Sequence, residues 1–380
     1  EKGLILGGLA TSGLINMFVP MCNGRGVQII KGMCQELLRL SIKYGYDTIP
    51  DSWKNGEHPT RERTERYLTR FSPELFAVAL TELLHSEGVD LLLDCIASAP
   101  VMQDGRCTGL IVQSKAGRSF YPAGVVVDTT GDADLLYRAG IPTVLGKNYF
   151  IYVASKIDLK SCERAVKSGN IRDAVYSEHG GHADLYGNRQ PPDVPLYSGT
   201  TPQEITDFTV RNQLVMLEKL KGEERNSRDI VTLPTVPQFR STRHIDGAYT
   251  LQTADAYRHF DDSIGAICDF DHSDILYEVP YRTLIHPSCV NMITAGRSAA
   301  AQGYAWDVLR VIPPAIITGQ AAGEAAALAL EQGVALSEIQ IAELQRRLSN
   351  AGVMIHFDDR WVPKEPCDQP EMIGQMAEHL

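Results

Sequence analysis

Apolar residues recur at helical spacing in GVQIIKGMCQELLRL, where Ile29, Ile30, Met33, Leu37 and Leu38 predict an amphipathic helix. Residues 47–66 are polar and punctuated, which predicts an exposed excursion. Ser72-Pro-Glu-Leu then supplies a cap, a proline at the first helical position and an early acid, so a helix is expected from there to about Gly88. VDLLLDC (89–95) reads as a fully apolar strand. ASAPVMQ, CTGLIVQS and RSFYPA, separated by Asp104-Gly105 and Ala116-Gly117, predict a three-stranded meander. GVVVDTTG follows as a continuous apolar strand running into a small-residue turn, the pattern of a parallel strand covered on both faces. The character changes from about 146 to 284, where prolines cluster and polar loops separate short helices such as 202–221. Buried-strand patterning returns at CVNMITAGRS, followed by the Ala-rich helix ITGQAAGEAAALALEQG and an amphipathic helix within SEIQIAELQRRLSNAG.

These patterns give an α/β fold class: a Rossmann-like parallel sheet with an antiparallel meander, plus an inserted domain. The expected division is 1–145 with 285–350 as one discontinuous domain, 146–284 as an inserted substrate or cap domain, and 351–380 as a tail. Residues 290–295 are expected to lie in one sheet with 124–128.

Composition narrows the function. A net charge of −11 and interleaved charges in RERTER (61–66) argue against a nucleic-acid or anionic-membrane partner. RERTER is expected to be a solvated loop or helix face. The eight cysteines include no C-x-x-C pair, which disfavours zinc ribbons, iron–sulfur clusters and redox dithiols. They read as buried thiols in a reducing compartment, so the expected location is cytoplasmic. No apolar run approaches the roughly 20 residues of a membrane span.

Three glycine turns carry the candidate chemistry. EKGLILGGLAT opens the chain with an acid followed by Gly7-Gly8, which would let backbone amides approach a phosphate or sugar. Glu1 is expected to end the second strand of a dinucleotide-binding unit whose G-x-G-x-x-G segment is not in this sequence, with residues 1–6 a strand end or frayed segment. DTTGDAD (128–134) puts Gly131 and Asp132 at a strand end, where Asp132 also suits a helix N-cap. TAGRS (294–298) repeats the arrangement, and Arg310-Val-Ile-Pro-Pro leads into the GQAAG helix, whose N-terminus would favour negative charge.

Taken together, E-K-x-x-x-x-GG-x-x-T, D-x-TGDAD, AGR and the GQAAG-x-AAAL helix resemble the FAD-dependent oxidoreductase family of the glutathione-reductase-like superfamily, over roughly residues 1–350. The resemblance implies FAD as cofactor. It places Glu1 at the adenosine ribose, and Gly7, Gly8, Ala10 and Thr11 along the pyrophosphate and flavin. Ala97 would sit near adenine, Thr130, Gly131 and Asp132 near phosphate and ribitol, Gly296 and Arg297 at the ribityl chain, and Val311 at the flavin ring. A Thr-His pair that often follows AGR in the family is replaced by Gln302-Gly303. FRSTRHIDGAYTL (239–251) and YEVPYRTL (277–284) resemble family segments near the flavin face. Arg240, Arg243, His244, Arg282 and Arg310 are therefore the candidates for substrate contact, since arginine forks onto carboxylates and histidine exchanges protons near neutrality. Arg243, Arg282 and Arg310 are expected to converge, with His244 nearby, on one cavity. The implied activity is hydride transfer between flavin and a small anionic substrate; the alternatives are a non-catalytic flavin-binding or regulatory protein and a nucleic-acid-modifying flavoprotein. FDDS and DFDHSD read as loop caps and solvated charge, so no metal is expected.

Overall fold

The computed structural model describes residues 1–364. Residues 1–7 form bends without helix or strand, and their backbone bonds run to the 92–95 segment: Glu1 N donates to Leu92 O and Cys95 N to Glu1 O. Strand β1 (Met17–Phe18) pairs antiparallel with β2 (Thr69–Arg70). Helix α1 (Met33–Ile42) starts later than its periodicity predicts. Gly32, at φ 64° and ψ −141°, breaks the run, and Ile29 and Ile30 are buried from an irregular segment instead. Helix α2 (Pro73–Ser86) begins as its cap signals predict, with Ser72 Oγ accepting from Leu75 N at 3.4 Å.

The excursion at 47–66 is not wholly exposed. Trp53 is 1% accessible, stacks on Tyr67 at 4.8 Å and donates its indole N–H to Glu65 O. RERTER is a loop, as one of its two readings has it, but Arg66 is only partly exposed. Its guanidinium donates to Cys22 O, Phe270 O and Asp269 O, stitching three segments through carbonyls.

The meander is β3 (Ile96–Gln103), β4 (Arg106–Ser114) and β5 (Gly117–Pro122), in the predicted order and turning at Asp104-Gly105, both with positive φ. The run 89–95 before it is not a strand. Asp94 adopts φ 55°, which ends an extended ladder, and Val89, Leu92 and Leu93 stay exposed. Strand β6 (Val126–Asp128) then leads to the short helix α3 (Asp134–Arg138).

In the inserted stretch, β7 (Thr143–Leu145) precedes β8 (Ile151–Asp158), α4 (Leu159–Ser168) and β9 (Tyr176–His182). Helix α5 (Pro202–Lys221) and β10 (Arg228–Thr232) follow, and the sheet order is β10–β8–β9. This part has small cores of its own: Phe150, Tyr197, Phe208 and Phe239 form one, and Tyr152, Ala154, Met216 and Leu220 another. Strand β11 (Arg243–Ile245) pairs back onto β7. Strands β12 (Ser263–Cys268) and β13 (Leu276–Pro280) form a wholly buried hairpin inside the main core.

Strand β14 (Met292–Thr294) lies parallel to β6, with Met292 opposite Val126 and Thr294 opposite Asp128, as the sequence predicts. Of an open parallel sheet, the described residues contain this one pair. Asn291 ties it to the meander: its amide accepts from Cys107 N and donates to Cys107 O and Gly124 O. Helices α6 (Tyr304–Leu309), α7 (Ile312–Gln332) and α8 (Ile341–Asn350) follow. Along α7, Ala321, Ala322, Ala325 and Ala329 are buried, because small side chains let the helix press on the strands beneath. After α8 the segment 353–357 is not a loose tail: Val353, Ile355 and Phe357 are buried, and Ala266 N donates to Met354 O at 2.6 Å. Residues 365–380, the rest of the predicted tail, lie outside the described residues. Among the described residues the seven cysteines are free thiols, five of them buried. Among the described residues no helix is long and apolar enough to cross a membrane.

Candidate functional site

Because β6 and β14 are parallel and adjacent, the turns that follow them meet outside the strands' carboxyl ends, where open α/β sheets bind ligands. Asp128, fully buried at the end of β6, organises the first turn. Its Oδ1 accepts from Thr130 N and Oγ1 at 3.0 and 2.7 Å, and its Oδ2 accepts from Leu135 N and Leu136 N at 2.9 Å each. Asp128 therefore caps α3 from a distance. The expectation that Asp132 caps this helix is wrong: the N-cap position is Ala133 at φ 51°, with no side-chain cap bond. Asp132 instead crosses to the second turn. Arg297 Nε and Nη2 both donate to Asp132 Oδ1, at 3.1 and 2.7 Å.

Glycine is required between them. Gly131 has φ 88°, and a Cβ there would stand 3.0 Å from Arg297 Nη2. Gly296 has φ 71°, and a Cβ would meet only Ala315, at 3.8 Å, so the turn's outer face is open. Gly296 N donates to Thr318 Oγ1, which seats the turn on the first turns of α7. Val311, the N-cap of that helix, makes no side-chain cap bond, and Pro313 and Pro314 carry no N–H to compete. An open glycine turn beside an uncapped helix N-terminus is a cradle for an anionic or electron-rich group.

Of the other predicted cofactor residues, Ala97 is tied to the helix that follows the first turn, where Arg138 on α3 donates to Ala97 O, and Glu1 is tied to the segment before β3, where Cys95 N donates to Glu1 O. Glu1 Oε1 accepts from Gly3 N. Gly7 and Gly8 both have positive φ and lead into a single 3-10 turn, with Thr11 Oγ1 donating to Leu6 O at 2.5 Å. Ala10 and Thr11 are buried, and the loop is tied to the inserted stretch by Thr235 N to Ser12 O and Gln238 Nε2 to Gly13 O.

The substrate candidates separate into distinct pairs. Arg243 pairs with Asp134 at 3.5 Å and lies over the Tyr137 ring at 4.1 Å, while its Nε is buried without a partner. Burial raises the Asp134 carboxyl above its ordinary value. Arg282 forks onto Asp262, at 2.9 and 3.1 Å, with its side chain 46% accessible. Arg310 binds Asp307 three residues earlier, at 2.8 and 2.5 Å. Each of the three arginines thus has its own acid. Arg310 does have a neighbouring cation, however: Arg240, which donates to Ala183 O. Burial first, and then the Arg310 charge, pushes Arg240 down to about 10, while Asp307 and Asp184 oppose the shift.

His244 is buried edge-on against Trp306, with centroids 4.6 Å apart. Its Nδ1 lies 2.6 Å from Ile245 O, which can only accept, so Nδ1 carries the proton and Nε2 is the acceptor nitrogen. Burial lowers its pKa. Trp306 Nε1 donates to Arg297 O, linking this histidine to the second glycine turn.

The sequence reading missed Asp128, Asp134, Asp307 and Trp306. The signal for Asp128 was an acid closing an apolar strand ahead of Thr-Thr-Gly. That for Asp307 was an acid three residues before Arg310 on a helix.

The sequence profile of the family described as "FAD dependent oxidoreductase" matches residues 1–155 and 196–348. No curated protein matches the chain in a sequence search. Solved structures that resemble it include BexE, studied for oxidation during BE-7585A biosynthesis, at 13% identity and TM-score 0.41, covering 95% of this chain and 69% of that one. CabE, an aromatic hydroxylase from angucycline biosynthesis, is similar at 12% identity and TM-score 0.41 with the same coverages. L-proline dehydrogenase from P. horikoshii is similar at 12% identity and TM-score 0.31, covering 76% of this chain, which spans 62% of that structure's length.

Proposed function

Since the chain belongs to the FAD dependent oxidoreductase family and is an enzyme using FAD, we propose that it transfers a hydride between flavin and a small anionic organic molecule. The carrying observation is the Arg240–Arg310 neighbourhood beside the start of α7, where two guanidinium groups share a partly buried space. Like charges in such a place favour an anion between or beside them.

The residues present fit FAD at the β6–β14 crevice, because the Gly296 turn is open and the N-terminus of α7 lacks a cap. Thr130, Gly131, Asp132, Gly296 and Arg297 would hold the phosphate–ribityl region, with Glu1 and Ala97 toward the adenosine and the Gly7–Thr11 loop alongside. Val311 would face the ring. When bound, the flavin supplies the two-electron chemistry that no side chain offers. The dipole of α7, with the Ile312 N–H as the one amide of its first three positions, would stabilise negative charge opposite its start. Arg240 and Arg310 orient the substrate's carboxylate by forked hydrogen bonds, with Asp307 holding Arg310 in position. His244 Nε2 is the proposed proton acceptor. Arg243 and Arg282, held by Asp134 and Asp262, position β11 and the segment after β13 around that space. In the same reading, 1–145 with 285–350 and the buried β12–β13 hairpin forms a Rossmann-like cofactor domain, and the remainder of 146–284 covers the substrate.

Anaerobic titration of the flavin-loaded protein with small carboxylic acids tests this. Bleaching of the flavin bands by one class of acid is expected. In Arg240→Lys, kcat/KM for that acid should fall by on the order of 10- to 100-fold, since the charge stays but the planar fork is lost. Bleaching only by uncharged compounds, or an unchanged kcat/KM in the variant, would remove the anionic-substrate reading.

A further inference from the structure

Away from the glycine turns, three chain segments meet at one carboxylate. Glu278 on β13 is fully buried. Its Oε1 lies 2.5 Å from His259 Nδ1, and its Oε2 lies 3.0 Å from His356 Nδ1 and accepts from Phe260 N at 2.8 Å. What surrounds this buried charge is thus imidazole on two sides, and the two rings are 41% and 48% accessible. One ligand atom from each of the three residues falls within 4.8 Å of the others. On the far side of His259, Nε2 lies 2.9 Å from Asp359 Oδ1. Glu278 and Asp359 can each only accept, so both ring nitrogens of His259 carry protons in the metal-free chain; an ion would take the place of the Nδ1 proton while Asp359 holds the one on Nε2. That carboxylate–histidine arrangement is how proteins orient imidazole toward a metal.

We propose that His259, Glu278 and His356 bind a divalent transition-metal ion of the zinc type, with an open position toward solvent. Two imidazoles and a carboxylate suit a borderline cation such as Zn2+, and the set resembles neither an all-oxygen site for Mg2+ nor a thiolate site. In a tetrahedral site with bonds of about 2.0–2.1 Å, ligand atoms stand about 3.3 Å apart. The Glu278 contacts of 2.5 and 3.0 Å would open toward that distance and wider separations, up to 4.8 Å, would close toward it, and both histidines have exposed edges to allow the movement. The ion would fasten the segment after α8, whose His356 and Asp359 it engages directly and indirectly, to the β12–β13 hairpin. That segment is otherwise held by bonds such as Ser263 Oγ to Ile355 O. This site is separate from the flavin reading and does not depend on it.

The test uses the full chain with its flavin, stripped by chelator, then titrated with Zn2+ by calorimetry and with Co2+ by absorption to the red of the flavin bands. One ion per chain, four- or five-coordinate Co2+ bands and a higher Tm with Zn2+ are expected. His356→Gln should weaken binding at least ten-fold, and Asp359→Asn, which touches only the far nitrogen of His259, by about ten-fold. Asp359 is exposed, so that variant keeps the test usable if His356→Gln does not fold. Zn2+ uptake equal in the parent and both variants would overturn the proposal. So would nitrogen NMR finding both Nδ1 atoms still protonated with Zn2+ present.

Discussion

His244 is 2% accessible and packs against Trp306, so protonating it in place would bury a charge. Burial lowers its pKa below that of the unfolded chain. A group with a depressed folded pKa binds protons better when unfolded. Its contribution is complete above the unfolded value of about 6.5 and is lost as pH falls through it, by at most about 1.4 kcal/mol per pH unit. His244→Gln should therefore flatten the fall in Tm between pH 7.5 and 5.5, measured by calorimetry at each pH; an identical slope in both proteins would show that His244 is not the titrating group. The roles of individual side chains were only partly legible. Arginine–carboxylate chemistry near RHIDG and YRTL is readable as a type, but the partner is not. Arg243, Arg282 and Arg310 look equivalent in sequence, yet Asp134, Asp262 and Asp307 each claim one. That sorting depends on three-dimensional approach, which periodicity does not encode.

Helix α3 is five residues long and could not hold its place by propensity alone. Asp128 supplies the missing end bonds from the previous strand, so the turn and the helix form one unit. Asp128→Asn keeps the shape but replaces one acceptor oxygen by a donor facing an N–H. Destabilisation of about 1–3 kcal/mol is expected, read as a lower urea midpoint, with weaker FAD retention in dialysis; a midpoint within error of the parent would refute the capping role. The meander, α2, α5 and the body of α7 were legible because turn chemistry, caps and period all agree there. Two elements were not. The GVQIIKGMC pattern has helical spacing, but Gly32 fixes a conformation no helix contains. VDLLLDC has the composition of a strand, but Asp94 turns the backbone away. In both, one backbone position outweighs the apolar pattern.

At the scale of the whole molecule, the two glycine turns belong to strands that touch only in the folded state, and one ion pair, Asp132–Arg297, spans them. A ligand bridging both turns binds the folded chain and not the unfolded one. Adding FAD at 100 times its Kd should then stabilise the protein by about 2.7 kcal/mol, seen as a rise of a few degrees in Tm by circular dichroism. A Tm independent of added FAD would show that the folded chain does not bind it preferentially. The parallel pairing was legible because both strands are continuous apolar runs ending in small-residue turns. Its distance along the chain has a further consequence. Thr294 and Asp128 are 166 positions apart, and the entropy of closing so long a loop must be met before their strands reward each other. During synthesis on the ribosome, β6 and its turn therefore wait, unpaired, while the inserted stretch is made and folds on its own small cores. A cofactor bridging the two turns would be captured only after β14 is made, and a translational pause before β14 would prolong the interval in which β6 is open to the wrong partner.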